Sequence, residues 1–156
     1  MLACPGDTDC QGYVGLIANG AYHEAYALIK DKIPFPASIG RVCPHPCEDA
    51  CRRKLIEEPI SIAALKQFAG ELDLTGDISY MPEMKADTGK RVAIVGGGPG
   101  GLSAAYYLRR MGHHAVIYEA MSQMGGMLRY GIPEYRLPKN LLQMEIDLIG
   151  RMGLNS

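Results

Sequence analysis

The sequence lacks any strong excess of charge, because 16 lysine and arginine residues nearly balance 17 aspartate and glutamate residues and leave a formal net charge of -1. Such a chain has no overall electrostatic attraction to nucleic acid or to an anionic membrane surface, so the sequence predicts neither partner. Hydrophobic residues make up 47% and charged residues 21% of the 156 residues, a balance typical of a folded globular chain.

Long uninterrupted apolar runs are also missing. The most apolar stretch, residues 92–108, contains a cluster of glycines, so we expect a strand, a tight loop and a helix there instead of a membrane span. The sequence starts without the basic region and apolar run of a signal peptide. These absences favour a cytoplasmic location and predict no membrane partner.

The first seventy or so residues show short helical patterns. Residues 13–18 and 22–29 are separated by Asn19-Gly20, a helix-stop signal, and Pro34-Phe35-Pro36 is expected to break the chain. After Pro59, residues 60–72 predict a longer helix. Its apolar residues stand at helical spacing, at Ile62, Leu65, Phe68 and Ala69.

Between residues 75 and 89 the periodicity disappears, which predicts a linker or an extended strap across a neighbouring surface. A buried strand is then expected at 91–95, a glycine loop at 96–101, a helix at 102–111 ended by Gly112, and a second strand at 115–119. This is the usual length of a parallel βαβ unit. The Gly- and Pro-rich stretch 125–139 predicts a loop. Residues 140–152 predict an amphipathic helix whose apolar side carries Leu141, Met144, Leu148 and Met152.

The glycine loop has the pattern of a dinucleotide site. Gly96 permits a tight turn, Gly98 allows a pyrophosphate to approach the backbone, and Gly101 allows the helix to pack on the strand. The helix amino terminus then meets the phosphates, and Glu119 ends the second strand where a carboxylate accepts ribose hydroxyls. A turn-rich domain without a ligand is the alternative. The glycines alone do not choose between FAD and NAD.

The five cysteines are Cys4, Cys10, Cys43, Cys47 and Cys51. Their odd number argues against a disulfide framework, and the C-x3-C-x3-C spacing of the last three favours metal ligation in a reducing compartment. Zinc held by these three with His45 or Cys4, or free thiols without metal, are the alternatives to an iron–sulfur cluster.

The run from Arg91 to Pro138, "RVAIVGGGPGGLSAAYYLRRMGHHAVIYEAMSQMGGMLRYGIPEYRLP", resembles the FAD-binding start of the glutamate synthase small (beta) subunit family. That family form includes the amino-terminal part of dihydropyrimidine dehydrogenase and the large subunit of ferredoxin-linked NADPH transhydrogenases. The resemblance implies that this nucleotide fold holds FAD, with 125–133 along the flavin instead of forming an ordinary surface loop. The implied cofactor-binding residues are Gly96, Gly98, Pro99, Gly100, Gly101, Glu119, Ala120, Gly126, Met127, Leu128, Gly131 and Ile132.

Residues 4–68 resemble the helical double-cluster domain of the same family, through "CPGDTDCQGYVGLI", "GRVCPHPCEDAC" and "EEPISIAALKQFA". The resemblance implies that Cys51 joins a first [4Fe-4S] cluster whose three other cysteines would lie before residue 1. It implies a second cluster on Cys4, Cys43 and Cys47, with a further ligand that is Gln or Glu in the relatives and falls on Lys66 here.

Two departures from the family pattern follow. The chain is expected to begin inside the domain, so the first cluster cannot form from these residues. Lys66 is a poor iron ligand because a protonated amine has no lone pair, and Gln67, Cys10 or Cys51 are the possible substitutes.

The prediction is therefore an α plus α/β chain: a helical iron–sulfur-type domain at 1–75, a linker at 76–89, and the βαβ start of a Rossmann-like FAD-binding domain at 90–156. The family implies an oxidoreductase that moves electrons between NAD(P)H, FAD and clusters to a partner subunit or domain. The nicotinamide site is expected after residue 156, so this piece is not expected to be active alone. The alternatives are a protein-interaction module without cofactor and a passive, partly folded fragment.

Overall fold

The chain folds as two compact units, Met1–Tyr80 and Met81–Ser156, called here the helical unit and the sheet unit. The computed structural model describes residues 3–76 and 79–154. Within these ranges, none of the helices has the length and apolar character needed to cross a membrane.

The helical unit contains short helices joined by tight turns. The Asp9 carboxylate accepts a hydrogen bond from the Gly12 N–H at 2.9 Å and so caps the first helix, which ends before Gly20 at φ +75°. The predicted break at residues 34–36 separates two helices, and Pro36 begins the second of them, where its missing N–H has no consequence. The helices are α1 Cys10–Ala18, α2 Tyr22–Lys30, α3 Pro36–Val42, α4 Pro46–Asp49 and α5 Ile62–Thr75, with a 3-10 helix at Arg52–Leu55.

The core of the helical unit lies between α1, α2 and α5, and α3 packs closely on α5. A side chain at Gly70 would come within 2.5 Å of the Ala37 nitrogen, so these two helices approach at backbone distance. The predicted apolar stripe of α5 is only partly correct. Phe68 is 45% exposed, whereas the polar residues Lys66 and Asp73 are buried, because the helix faces a pocket and a polar network.

The sheet unit contains the predicted parallel βαβ unit. Its strands pair in parallel, with Arg91 opposite His114 and Val95 opposite Tyr118, which confirms the predicted topology. The expected loop at 125–139 contains one short helix. The elements are β1 Arg91–Val95, α6 Pro99–Arg110, β2 His114–Tyr118, α7 Gly126–Tyr130 and α8 Lys139–Gly150.

Two expectations about burial are only partly correct. The strand β1 was expected to be buried, but its residues alternate between a half-buried face and an exposed face, and Val95 on the exposed face is 91% exposed. The predicted apolar face of α8 is correct in part. Leu148 and Met152 are buried as expected, but Met144 is 37% exposed, and Leu142 and Ile149 are buried in addition.

The segment before β1 is attached to the sheet unit by backbone bonds. The Lys85 N–H donates to the Arg110 carbonyl and the Thr88 N–H to the Gly112 carbonyl, both at 3.0 Å. Gly112 has φ +83°, and a side chain there would overlap the backbone of Ala86. Residues 85–88 therefore lie along the turn between α6 and β2.

Candidate functional site

The loop between β1 and α6 brings the predicted phosphate-binding glycines together at the start of a helix. Gly96 has φ +98°, a conformation that favours glycine. A side chain at Gly101 would overlap the Gly96 carbonyl oxygen, so the helix lies directly against the loop. Gly98 precedes the first helical residue, Pro99, and no described side chain caps α6. Backbone N–H groups of Gly100 and Gly101 are therefore available to an anion.

A second pair of glycines lies against this loop. The Gly125 N–H donates to the Gly97 carbonyl at 2.8 Å. A side chain at Gly126 would come within 2.7 Å of the Gly98 Cα, whereas one at Gly98 would meet the Gly126 Cα at an ordinary 3.7 Å. The start of α7 and the glycine loop thus lie side by side, with glycine backbone of both segments in contact.

Glu119 directly follows β2 and faces the glycine loop. Its Oε2 accepts the Gly97 N–H at 2.6 Å and its Oε1 accepts the Met121 N–H at 2.8 Å. The Met121 and Gly97 N–H groups lower the pKa of the Glu119 carboxyl, so it is ionised at neutral pH. Ala120, the next predicted residue, is exposed beside it. An open cleft of about 860 Å³ adjoins the carboxylate, lined among others by Ile117, Ser122, Gln143 and Asp147.

The segment predicted to follow the flavin forms helix α7 and the turn after it. Leu128 is buried, whereas Met127 is 70% exposed. Lys139, at the start of α8, donates through Nζ to the carbonyls of Leu128 and Ile132 and so closes this turn around Gly131. The sequence analysis missed this lysine, which is the last residue of the stretch 125–139 that it predicted as a loop.

Arg129 is a second missed residue in the same segment. Its Nε donates to the Met124 carbonyl at 2.5 Å, and its terminal nitrogen donates to the Gln143 side chain in α8. Both contacts hold the guanidinium against the protein, so Arg129 fixes the position of α7 relative to α8.

In the helical unit, four of the five cysteines line one pocket. Cys4, Cys10, Cys43 and Cys47 share it, and the buried side chain of Lys66 completes its wall. Three of these are predicted ligands of one cluster, and Cys10 is a cysteine that the sequence analysis named only as a substitute.

Cys51, the remaining predicted ligand, lines a different open cleft of about 700 Å³, together with Arg52, Arg53 and Ile60. Cys10 and Cys47 line both spaces. The structure therefore does not bring Cys43, Cys47 and Cys51 to one pocket, as the alternative zinc site requires.

The donor set of the shared pocket fits an iron–sulfur cluster, because thiolates are the ligands that hold such clusters. The space between the side chains is small, about 20 Å³. Among the described residues, no three His, Cys, Asp or Glu side chains are already arranged to hold a metal ion. Cluster binding therefore requires the thiol groups to move apart, as is expected for a metal site that takes its final geometry only when the metal is bound.

The cysteine segment is attached to α5 by Glu48. Its Oε1 accepts the Ala63 N–H at 2.7 Å, which caps the start of α5, and its Oε2 lies 3.3 Å from Nδ1 of His45. His45 has φ +46°, and its backbone N–H donates to the Cys43 sulfur at 3.3 Å. His45 thus orders the loop around Cys43 and lines the thiol pocket, while its half-exposed ring pairs with Glu48.

The thiols of the pocket differ in acidity. Burial alone would raise the pKa of Cys4, but hydrogen bonds from Thr8 and Gly6 and the charge of Lys66 lower it below the ordinary value. Burial, and then the neighbouring Cys10 thiol, raise the pKa of Cys47 to about 11. In the absence of a metal, Cys4 is therefore the more acidic of the two, and metal binding must displace the proton of Cys47.

Comparison with known proteins covers both units. Residues 1–77 match the family model described as dihydropyrimidine dehydrogenase domain II, 4Fe-4S cluster, and residues 94–140 match the model of the NAD(P)-binding Rossmann-like domain. The chain is 42% identical over 157 residues to the NADPH-Fe(3+) oxidoreductase subunit beta of Geobacter sulfurreducens. It is 38% identical over 175 residues to the NADP(+)-dependent formate dehydrogenase subunit beta of Moorella thermoacetica.

A third relative is the glutamate synthase [NADH] of Schizosaccharomyces pombe, 38% identical over 153 residues, which cover 97% of this chain and 7% of the relative. The matches to the Geobacter and Moorella proteins each cover 99% of this chain, but only 23% and 25% of those relatives. The chain thus spans about a quarter of the length of these two subunits.

Proposed function

We propose that the chain is an electron-transferring part of an NAD(P)H-dependent oxidoreductase. Residues 1–77 match the dihydropyrimidine dehydrogenase domain II 4Fe-4S family, and residues 94–140 match the NAD(P)-binding Rossmann-like family. The sheet unit binds FAD and the helical unit binds a [4Fe-4S] cluster. When bound, FAD accepts hydride equivalents and the cluster carries single electrons.

The observation that carries the nucleotide half is the backbone surface formed by Gly98 and Gly126. A pyrophosphate needs a place where a helix amino terminus and a side-chain-free backbone coincide, and both occur in front of α6. Glu119 supports the adenosine end, because a carboxylate ionised and oriented by two backbone N–H groups accepts ribose hydroxyls and disfavours a 2′-phosphate.

The choice of FAD over a nicotinamide nucleotide rests on the segment after Glu119. Gly126 meets the glycine loop directly, Met127 and Leu128 follow it in α7, and Gly131 and Ile132 lie in the turn that Lys139 closes. These residues extend the binding surface beyond the pyrophosphate, as a long flavin nucleotide requires. In the family that the chain resembles, the corresponding segment lies along the flavin.

The observation that supports the cluster half is the convergence of Cys4, Cys43 and Cys47 on one pocket that includes the buried Lys66. Cys51 lines the neighbouring cleft and is the proposed ligand of a separate cluster in the parent protein. The parent is proposed to take NAD(P)H at a second nucleotide fold and to pass electrons to a partner subunit or domain, with a cytoplasmic location.

The direct test is an absorption spectrum of the anaerobically purified chain, with released nucleotide identified by chromatography and iron assayed on the same sample. We expect FAD and about four irons per chain. Gly98→Ala should lose FAD and keep iron, since its Cβ fits the protein but blocks a pyrophosphate. Cys43→Ser should lose iron and keep FAD, so each variant is the control for the other.

Two results from the same samples would contradict the proposal. Release of NAD(P) in place of FAD would refute the flavin assignment. A folded protein that takes up neither FAD nor iron, but binds a catalytic partner subunit, would support an interaction module instead.

A further inference from the structure

We propose that Cys10 supplies the fourth thiolate for the cluster held by Cys4, Cys43 and Cys47, and that Lys66 acts beside it as a compensating charge. This inference rests on the proposed cluster function and adds a ligand to it. In the relatives that the chain resembles, the fourth ligand is a Gln or Glu at the position of Lys66, and an ammonium group cannot replace it.

Two of the three possible substitutes are directed elsewhere. The Gln67 side chain donates to the Glu71 carboxylate at 3.0 Å. Its Cβ faces α3 so closely that a side chain at Gly40 would come within 2.6 Å of it. Cys51 lines the open cleft beside Arg52, separate from the pocket that contains Cys4 and Cys43. Neither side chain reaches the pocket without a change in its helix or loop.

Cys10 already lies in that pocket. It is the first residue of α1 and is only 8% exposed, and its thiol interacts with that of Cys47. The position of α1 is fixed by the Asp9 cap, so Cys10 is presented by an ordered backbone. The Cys10 thiol therefore lines the same pocket as the thiols of Cys4, Cys43 and Cys47.

Thr8 is an independent sign that the pocket holds a ligand. Its hydroxyl group is buried, and in the described part of the chain it has no nitrogen or oxygen hydrogen-bond partner. The hydroxyl lies beside the Cys4 sulfur. Buried hydroxyl groups are normally hydrogen-bonded, and the acceptor beside this one is the Cys4 sulfur, so the hydroxyl is placed to donate to Cys4 when that sulfur is a ligated thiolate.

Lys66 completes the charge arrangement. Its side chain is 6% exposed and its positive charge acts on Cys4. A cluster with four thiolates carries net negative charge, and a buried cation beside it offsets part of the cost of burying that charge. The lysine then tunes the cluster without touching iron.

The test is anaerobic reconstitution of the full chain with ferrous iron and sulfide, followed by iron and sulfide analysis and by EPR of the reduced samples. Cys10→Ala should reduce the iron content from about four to three or fewer per chain and change the EPR spectrum. Cys51→Ala, which removes the rival ligand, should keep about four irons. Circular dichroism of the metal-free Cys10→Ala and Cys10→Ser proteins verifies that the helical unit is folded.

A double variant separates ligation from packing. Lys66→Gln in the Cys10→Ala background places an amide oxygen at the position used by the relatives, and we expect it to restore about four irons. Full iron and an unchanged EPR spectrum in Cys10→Ala would overturn the role of Cys10 while leaving the cluster function intact. A wild-type chain that takes up no iron would overturn both.

Discussion

The Gly97 N–H donates to Oε2 of Glu119 at 2.6 Å and so connects the glycine loop after β1 to the end of β2. Oε1 of the same carboxylate accepts the Met121 N–H. Two backbone donors thus orient the side chain before any nucleotide is present. Each carboxylate oxygen keeps a second lone pair for a ribose hydroxyl, so the same residue can order the loop and bind the ligand.

Replacing Glu119 should weaken nucleotide binding. Glu119→Gln removes the charge and turns an N–H group toward one of the two backbone donors, so we expect FAD affinity to fall at least about ten-fold, the equivalent of one charged hydrogen bond. The measurement is a fluorescence titration of the chain with FAD. Glu83→Gln, an exposed change in the same unit, is the control and should leave the affinity unchanged. Equal affinities for both variants would exclude Glu119 from the site.

Gly101 should not tolerate a side chain. Gly101→Ala overlaps the Gly96 carbonyl oxygen, so we expect the sheet unit to lose about 1–3 kcal/mol of unfolding free energy. Gly150→Ala, near the end of α8 with open space around it, should instead stabilise by up to about 1 kcal/mol. Urea denaturation of both variants measures the two effects. Similar unfolding midpoints would show that helix and loop are not in close contact at Gly101.

Asp73 should make the helical unit sensitive to pH. Burial raises the pKa of its carboxyl, although the Tyr80 N–H donates to it and Lys30 and His23 lie nearby. Because the pKa of Asp73 is higher in the folded state than in the unfolded state, its carboxyl stabilises the fold fully when the pH is below the unfolded-state pKa, about 4. This stabilisation is lost as the pH rises through the folded-state pKa.

Asp73→Asn removes that dependence and keeps one oxygen for the Tyr80 N–H. The thermal unfolding midpoint of Asp73→Asn should therefore rise relative to that of the wild type as the pH increases above about 4. Asp31→Asn, a half-exposed change in the same unit, should show no such trend. A difference between Asp73→Asn and wild type that is constant with pH would mean that the Asp73 pKa is not raised.

The Tyr13 hydroxyl group should stabilise the helical unit through its hydrogen bond to α5, a helix that lines the thiol pocket. It is buried and donates to the Ile62 carbonyl at 3.2 Å, at the first residue of that helix. Tyr13→Phe removes this hydrogen bond and should lower the unfolding free energy measured by chemical denaturation by about 1 kcal/mol. Tyr22→Phe, where the ring is 41% exposed, should cost less than half as much. Equal losses would indicate a general effect of the ring and not of this hydrogen bond.

Local signals in the sequence were sufficient for much of the fold. The strands, their parallel pairing and the helix after the glycine loop follow from periodicity and glycine positions over about 30 residues. The helix starting at Pro36 and the short helix α7 were missed. In both cases proline or glycine predicted a break, whereas packing against a neighbouring helix used the same residue as a helix start.

The glycine loop and Glu119 could be found from sequence because their roles depend on backbone conformation and on a fixed spacing. The contacts of Lys139 and Arg129 could not, since each reaches carbonyl groups whose position depends on how α7 packs. Exposure of Val95 is likewise a property of the sheet, because strand composition cannot reveal which neighbours a strand has.

The sequence by itself determined the order of a cysteine-rich helical unit and a βαβ unit, because caps, stop signals and periodicity act over a few residues. Tertiary structure alone decided which cysteines share a pocket. Cys10 is 37 residues from Cys47 along the chain, but the packing of α1 against α5 places it beside the three predicted ligands. Cys51 is only four residues from Cys47, but it faces another cleft. Proximity along the chain therefore did not identify which cysteines share the pocket, since side chains meet where helices pack.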